Sequence, residues 1–121
     1  MKTLRIDHVT VVSPDAGRAA ATFEELFALP RAAAPAGATA LAIGGARIEF
    51  VTPAADTALA EAMRTGGEGM AALTLTVADL AEAGRTLERA GVAFEAATDG
   101  GRRVLRVDPR AAHGVRLTLT A

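Results

Sequence analysis

The residues typed for chemistry in this chain are few: His8, Arg47, Glu49 and Arg116 stand out by position. His8 lies in "RIDHVTVVSPD" (5–15), where period-two alternation sends Ile6, His8, Thr10 and Val12 one way and Asp7, Val9 and Val11 the other. Glu49 lies in "ARIEFV" (46–51), two residues after Arg47. One reading of His8 and Glu49 is metal-free acid–base work, in which Glu49 would remove a proton next to a carbonyl with His8 orienting it or donating. A plainer reading of the same two residues is a hydrogen-bonded His–Glu pair that keeps a cleft polar. Arg47 and Arg116 could clamp a carboxylate or phosphate. Lys2 is the only lysine, so arginine is the default cation here, and solvated strand ends account for both arginines equally well. His113 in "AHG" reads as a turn residue and Glu68 in "GGEG" as part of a connector. With no cysteine there is no thiolate nucleophile, disulfide or Cys-ligated zinc. With no Tyr or Trp and only 4 Phe, a pocket cannot rest on aromatic cages.

The elements that position these residues come from an internal repeat. "HVTVVSPDAGRAAATFEEL" (8–26) matches "ALTLTVADLAEAGRTLERA" (72–90) without a gap, so His8 falls on Ala72, Thr10 on Thr74 and Asp15 on Asp79. "ARIEFV" then matches "VRLTLT" (115–120), which makes Arg47 the equivalent of Arg116 and Glu49 that of Thr118. Each copy reads as strand, helix, then two or three strands. In the first helix Ser13 can cap, Pro14 suits the first turn, and Ala16, Ala19, Ala20, Phe23 and Phe27 form the apolar stripe before Pro30. In the second, Asp79 and Glu82 have capping-box spacing, Leu80, Ala83 and Leu87 form the stripe, and Gly91 suits the end. Strands are expected near 39–43, 46–52, 93–97, 102–107 and 114–120, with a short helix opened by Pro53 between the copies.

Alternation then divides the strand residues. Val9, Val11, Ile48, Phe50, Leu73, Leu75, Leu117 and Leu119 face the helices. His8, Thr10, Arg47, Glu49 and Val51 face the other way, as do Ala72, Thr74, Thr76, Arg116, Thr118 and Thr120. Neither copy can bury both faces of a small sheet alone. The expected architecture is α+β, with two tandem βαβββ modules packed into a curved, incomplete barrel around a shared cleft. Residues 1–121 form one domain, with module one about 4–52, a connector 53–69 and module two about 70–121. The threonines are good strand formers in their own right. Grouped on one face, they also give the cleft small hydroxyls and little bulk.

Composition narrows the partners. The chain has 121 residues, 50% of them hydrophobic and 22% charged, with a formal net charge of −1. That balance gives no electrostatic drive towards nucleic acid or an anionic membrane. No apolar run approaches the roughly 18–20 residues of a membrane span. "MKTLRID" enters a strand pattern directly, without a secretory signal, so a cytoplasmic protein is expected.

The doubled strand–helix–strands unit resembles the vicinal oxygen chelate (glyoxalase, bleomycin resistance, dioxygenase) superfamily, and is nearest its methylmalonyl-CoA epimerase and glyoxalase-like branch. "IDHVTVVSPD" is similar to that branch's opening strand and "IEFVTP" to its fourth. "GGEGMAALTLTV" is similar to the entry into its second half, and "DPRAAHGVRLTLT" to its closing hairpin. The resemblance implies one divalent ion held by four side chains, at positions that are here His8, Glu49, Ala72 and Thr118. Only His8 and Glu49 keep ligand types; alanine has no donor atom and a threonine hydroxyl is a poor ligand for Zn, Ni, Co or Mn. No cofactor is therefore expected, beyond at most a weakly bound divalent ion at remnant positions His8 and Glu49. The expected function is binding of a small molecule at a degenerate, metal-free site drawn from His8, Thr10, Arg47, Glu49, Ala72, Thr74, Arg116 and Thr118. The alternative is a lyase, isomerase or epimerase acting on a carbonyl or acyl-thioester, with Glu49 and His8 as the catalytic candidates. A homodimer is expected because small sheets leave edges that a partner can cover.

Overall fold

The computed structural model describes Met1–Ala121. The first copy of the repeat folds as β1 (Thr3–Val12), α1 (Ala16–Phe27), β2 (Arg31–Ala32), β3 (Ala38–Ile43) and β4 (Ala46–Val51). A connecting helix, α2 (Ala58–Gly66), follows. The second copy gives β5 (Gly69–Val77), α3 (Leu80–Arg89), β6 (Phe94–Asp99), β7 (Arg102–Val107), a short 3-10 helix (Pro109–Ala112) and β8 (Leu117–Thr120). Both copies are thus βαβββ, with three α-helices and eight strands in all. None of the helices is long and apolar enough to cross a membrane.

The chain divides into two compact units, residues 8–71 and residues 1–7 with 72–121. In the first the strand order is β2-β3-β4-β1, with β1 and β4 parallel and the other pairs antiparallel. In the second β5 is followed by β8, β7 and β6, again with one parallel pair, β5 with β8. Strand β1 is divided between them, its first half belonging to the second unit.

Each unit has its own core, built on the helix-facing residues of the alternation. Phe50 and Leu41 are fully buried with Ala16 and Ala20 of α1, and Val11, Ile48 and Phe23 pack against them. The Phe23 and Phe50 rings lie 5.2 Å apart in a tilted arrangement, a favoured geometry for aromatic pairs. In the other unit Val77, Leu105, Val107 and Leu119 enclose Ala83 and Leu87 of α3, with Leu75 and Leu117 packed on the cluster. Val9 and Leu73, assigned to the same faces, are half-buried and lie outside both clusters.

Local signals are corrected at several boundaries. The cap of α1 is Asp15, which accepts from Arg18 N at 3.1 Å, so Pro14 precedes the helix. Ser13 is buried instead, accepting from Asp15 N at 3.1 Å and donating to Glu68 Oε1 at 3.4 Å. Asp79, the repeat-mate of Asp15, caps α3 in the same way through Glu82 N. Helix α1 stops at Phe27, short of Pro30, because Ala28 turns left-handed at φ 54°. Helix α2 starts after the cap Thr57 rather than at Pro53, since Thr57 Oγ1 accepts from Ala60 N. Strand β8 begins at Leu117, not 114, because Gly114 N bonds to Pro109 O and Val115 N to Ala112 O, closing the 3-10 turn. Two-residue β2 carried no periodic signal; it pairs Arg31 with Leu41 and Ala32 with Ala40.

Candidate functional site

The parallel pairing of β1 with β4 sets His8 opposite Arg47 and Thr10 opposite Glu49. Partners in a ladder share a face, so all four side chains stand opposite the Val11, Ile48 and Phe50 face that packs on α1. Glu49 is 6% exposed and Thr10 8%. A carboxylate this deep needs compensating positive charge, because desolvation of an unpaired ion costs several kcal/mol. Arg47 supplies it: its Nη2 donates to Glu49 Oε2 at 2.9 Å. His8 Nδ1 lies 3.3 Å from the same oxygen. Both contacts fall on Oε2. The arrangement is a carboxylate anchored through one oxygen, flanked by a guanidinium and an imidazole.

The equivalent residues of the second copy lie in the other unit. Thr74 stands opposite Thr118 across β5 and β8, and Thr118 opposite Arg106 across β8 and β7. Thr74 is buried, while Ala72, Thr118 and Arg116 are half-buried. The Arg116 carbonyl accepts from Leu73 N at 2.9 Å and so ties the start of β8 to β5. No carboxylate occupies this set, and Arg116 has no counterpart of the Arg47–Glu49 pair. His113 is an exposed left-handed residue at φ 56° that ends the 3-10 helix, which is a turn role.

Donor chemistry tests whether these residues suit a divalent ion. His8 and Glu49 are the two donors among the four implied positions, and the Glu49 oxygen nearest His8 already carries the Arg47 guanidinium. Ala72 offers no donor and Thr118 only a hydroxyl. No group of three or more His, Asp or Glu side chains is arranged to hold a metal. The residues do not fit the family's ion.

One buried polar residue escaped the reading of the sequence. Asp7 is 1% exposed; its Oδ1 accepts from Thr76 Oγ1 at 3.3 Å and lies 3.7 Å from Arg5 Nη2, while Oδ2 lies 3.8 Å from Arg102 Nη1. A charge interrupting the Val9–Val11 side of the alternation was the signal that could have found it. Glu68 likewise serves as Ser13's acceptor rather than as a featureless connector residue.

A family model described as the Glyoxalase/Bleomycin resistance protein/Dioxygenase superfamily matches residues 5–116. Among solved structures, methylmalonyl-CoA epimerase from Mycobacterium tuberculosis superposes with a TM-score of 0.89 at 22% identity, over 98% of this chain and 87% of that one. A variant of the Streptomyces coelicolor methylmalonyl-CoA epimerase in complex with 2-nitronate-propionyl-CoA gives 0.83 at 19% identity, over 98% and 94%. A methylmalonyl-CoA epimerase in complex with methylmalonyl-CoA and NH4+ gives 0.84 at 19%, also over 98% and 94%. At these identities the likeness is one of fold. No curated protein matches the sequence.

Proposed function

The chain belongs to the Glyoxalase/Bleomycin resistance protein/Dioxygenase superfamily, and on that footing we propose that it is an isomerase or epimerase acting on a carbonyl compound or acyl-thioester. Support comes from the epimerases among its structural neighbours, some of them bound to acyl-CoA compounds. The observation that carries the reading is the buried Glu49, held through Oε2 by Arg47 and His8. In the proposed step Glu49 Oε1 takes the proton α to the carbonyl, the C–H electron pair moves into the enolate, and the carbonyl oxygen carries the charge. Return of a proton to the same carbon regenerates the carbonyl; His8, 3.3 Å from Glu49 Oε2, serves the face from which the proton left, and a change of configuration takes its proton from solvent on the other face. Arg47 compensates the Glu49 carboxylate before the transfer, and once Glu49 is neutralised by the proton the same cation offsets the charge of the enolate.

A metal-free binding protein without turnover is the second reading. What favours it is the second copy, where Ala72 and Thr118 replace residues that could exchange protons. One experiment separates the two. Acyl-CoAs and 2-oxoacids are incubated with the protein in D2O, and loss of the α-proton signal is followed by NMR beside a thermal-shift measurement. Exchange above the uncatalysed rate, lost in Glu49→Gln, supports the enzyme. A shifted melting temperature without exchange supports the binding protein.

We also propose that the chain works in the cytoplasm as a homodimer. The absence of cysteine suits a reducing compartment, and exposed Leu26, Phe27 and Ile43 suit a covered surface. A monomer by light scattering at micromolar concentration overturns the dimer.

A further inference from the structure

His8 and Glu49 have the spacing of half a chelate. Their Nδ1 and Oε2 atoms stand 3.3 Å apart. Two donors on one zinc, at bond lengths of about 2.0–2.1 Å and a tetrahedral angle, stand about 3.3–3.4 Å apart. Yet the oxygen a metal would need already holds a cation from the chain itself, Arg47 Nη2 at 2.9 Å. The guanidinium keeps its charge at every physiological pH and matches a carboxylate in shape. Glu49 is buried, so water screens little of the repulsion between that guanidinium and an incoming dication.

The geometry points to Arg47 as the fixed cation of this site, seated on Glu49 where a divalent ion would otherwise bind. Arg47 is an internal cation for this carboxylate, two residues along the same strand. A fixed cation beside a buried carboxylate compensates its charge without metal uptake. This inference deepens the reading of the site given above but stands on the Arg47–Glu49–His8 contacts alone.

The test uses metal salts as the probe. Zn, Ni, Co and Mn chlorides are titrated by calorimetry into the full chain, into Arg47→Leu, into Arg47→Lys, and into Arg47→Leu with His8→Ala. The parent and Arg47→Lys should show no saturable uptake up to about 100 µM. Arg47→Leu should bind at least one of the four ions roughly ten-fold or more tightly than the parent, and His8→Ala should abolish the gain. Saturable micromolar uptake by the parent, or a folded Arg47→Leu that binds no better, overturns the proposal. Should Arg47→Leu fail to fold, Arg47→Gln, which removes the charge but keeps a polar side chain, is read in its place with the same outcomes, and a rise in the parent's melting temperature with about 1 mM Ni or Zn overturns the proposal. No turnover is read in this experiment, so its failure and that of the proposed reaction are told apart.

Discussion

Thr76 Oγ1 donates to Asp7 Oδ1 at 3.3 Å, joining two buried side chains that lie 69 residues apart in the chain. Arg5 and Arg102 hold the same carboxylate from positions about half exposed to water. Solvent screens those two ion pairs, so the hydrogen bond and the buried volume should dominate the role of Asp7 in stability. Asp7→Ala removes the acceptor and should destabilise by about 1–3 kcal/mol. Asp7→Asn keeps an oxygen for Thr76 and should lose less. Urea unfolding of the three proteins checks the order; equal losses for both variants would give the charge, not the hydrogen bond, the larger part.

Removal of the proposed base should separate activity from folding. Glu49→Gln keeps size and an acceptor oxygen but cannot take a proton from carbon. The α-proton exchange rate should fall by roughly 10²–10⁴-fold, the range for a positioned general base. His8→Ala should lower the rate less, because Arg47 still anchors Oε2. Exchange rates in D2O with a reactive acyl-CoA check both.

Gly84 lies inside α3, where a glycine costs helix stability for its backbone freedom. A Cβ built there would meet Leu105 Cδ1 at 3.6 Å and Phe94 Cζ at 3.8 Å, ordinary contact distances. Gly84→Ala should therefore stabilise the protein by about 0.5–1 kcal/mol and raise its melting temperature. A fall would show that the helix packs closer to β6 and β7 than these distances indicate.

The Arg31 guanidinium holds Glu24 below the ordinary carboxylate range, through bonds from Nε to Oε2 at 2.8 Å and from Nη2 to Oε1 at 3.2 Å. A lowered carboxyl contributes stability above its unfolded value and loses it as pH falls through the folded one. The difference in stability between the parent and Glu24→Gln should therefore be present at neutral pH and vanish in acid. It should also shrink in salt, since the pair is exposed. Melting curves across pH at two ionic strengths check this; a difference that persists in acid would assign it to packing.

How far these residues were legible beforehand depended on whether the signal was periodic. The repeat placed both βαβββ units, and the alternation separated Phe50 and Leu119 from Glu49 and Thr118, because period two is imposed by strand geometry over several residues. Caps were less legible, since Ser13 and Asp15 can both accept and only the backbone decides between them. The repeat contained the better clue, as Asp15 aligns with Asp79. Arg47 had two readings in sequence, an anion clamp or a solvated strand end; its actual partner, Glu49, sits two residues along on the same face. Asp7 was harder to place: Arg5 and the break in the alternation are local, but Thr76 and Arg102, which also compensate its burial, come from far along the chain.

The division of β1 has a consequence in time. Residues 8–71 are continuous in sequence, so that unit has all its parts once the first 71 residues have left the ribosome. The other unit needs residues 1–7, made before that stretch, and residues 72–121, made after it. During synthesis the first half of β1 therefore waits without the strand it will belong beside, while its second half already has β4 available. Exposed Leu4 and Ile6 and the charged Asp7 occupy that waiting stretch. A chain stalled with residues 1–71 just clear of the ribosome should protect the amides of 8–12 from exchange and leave those of 3–7 open.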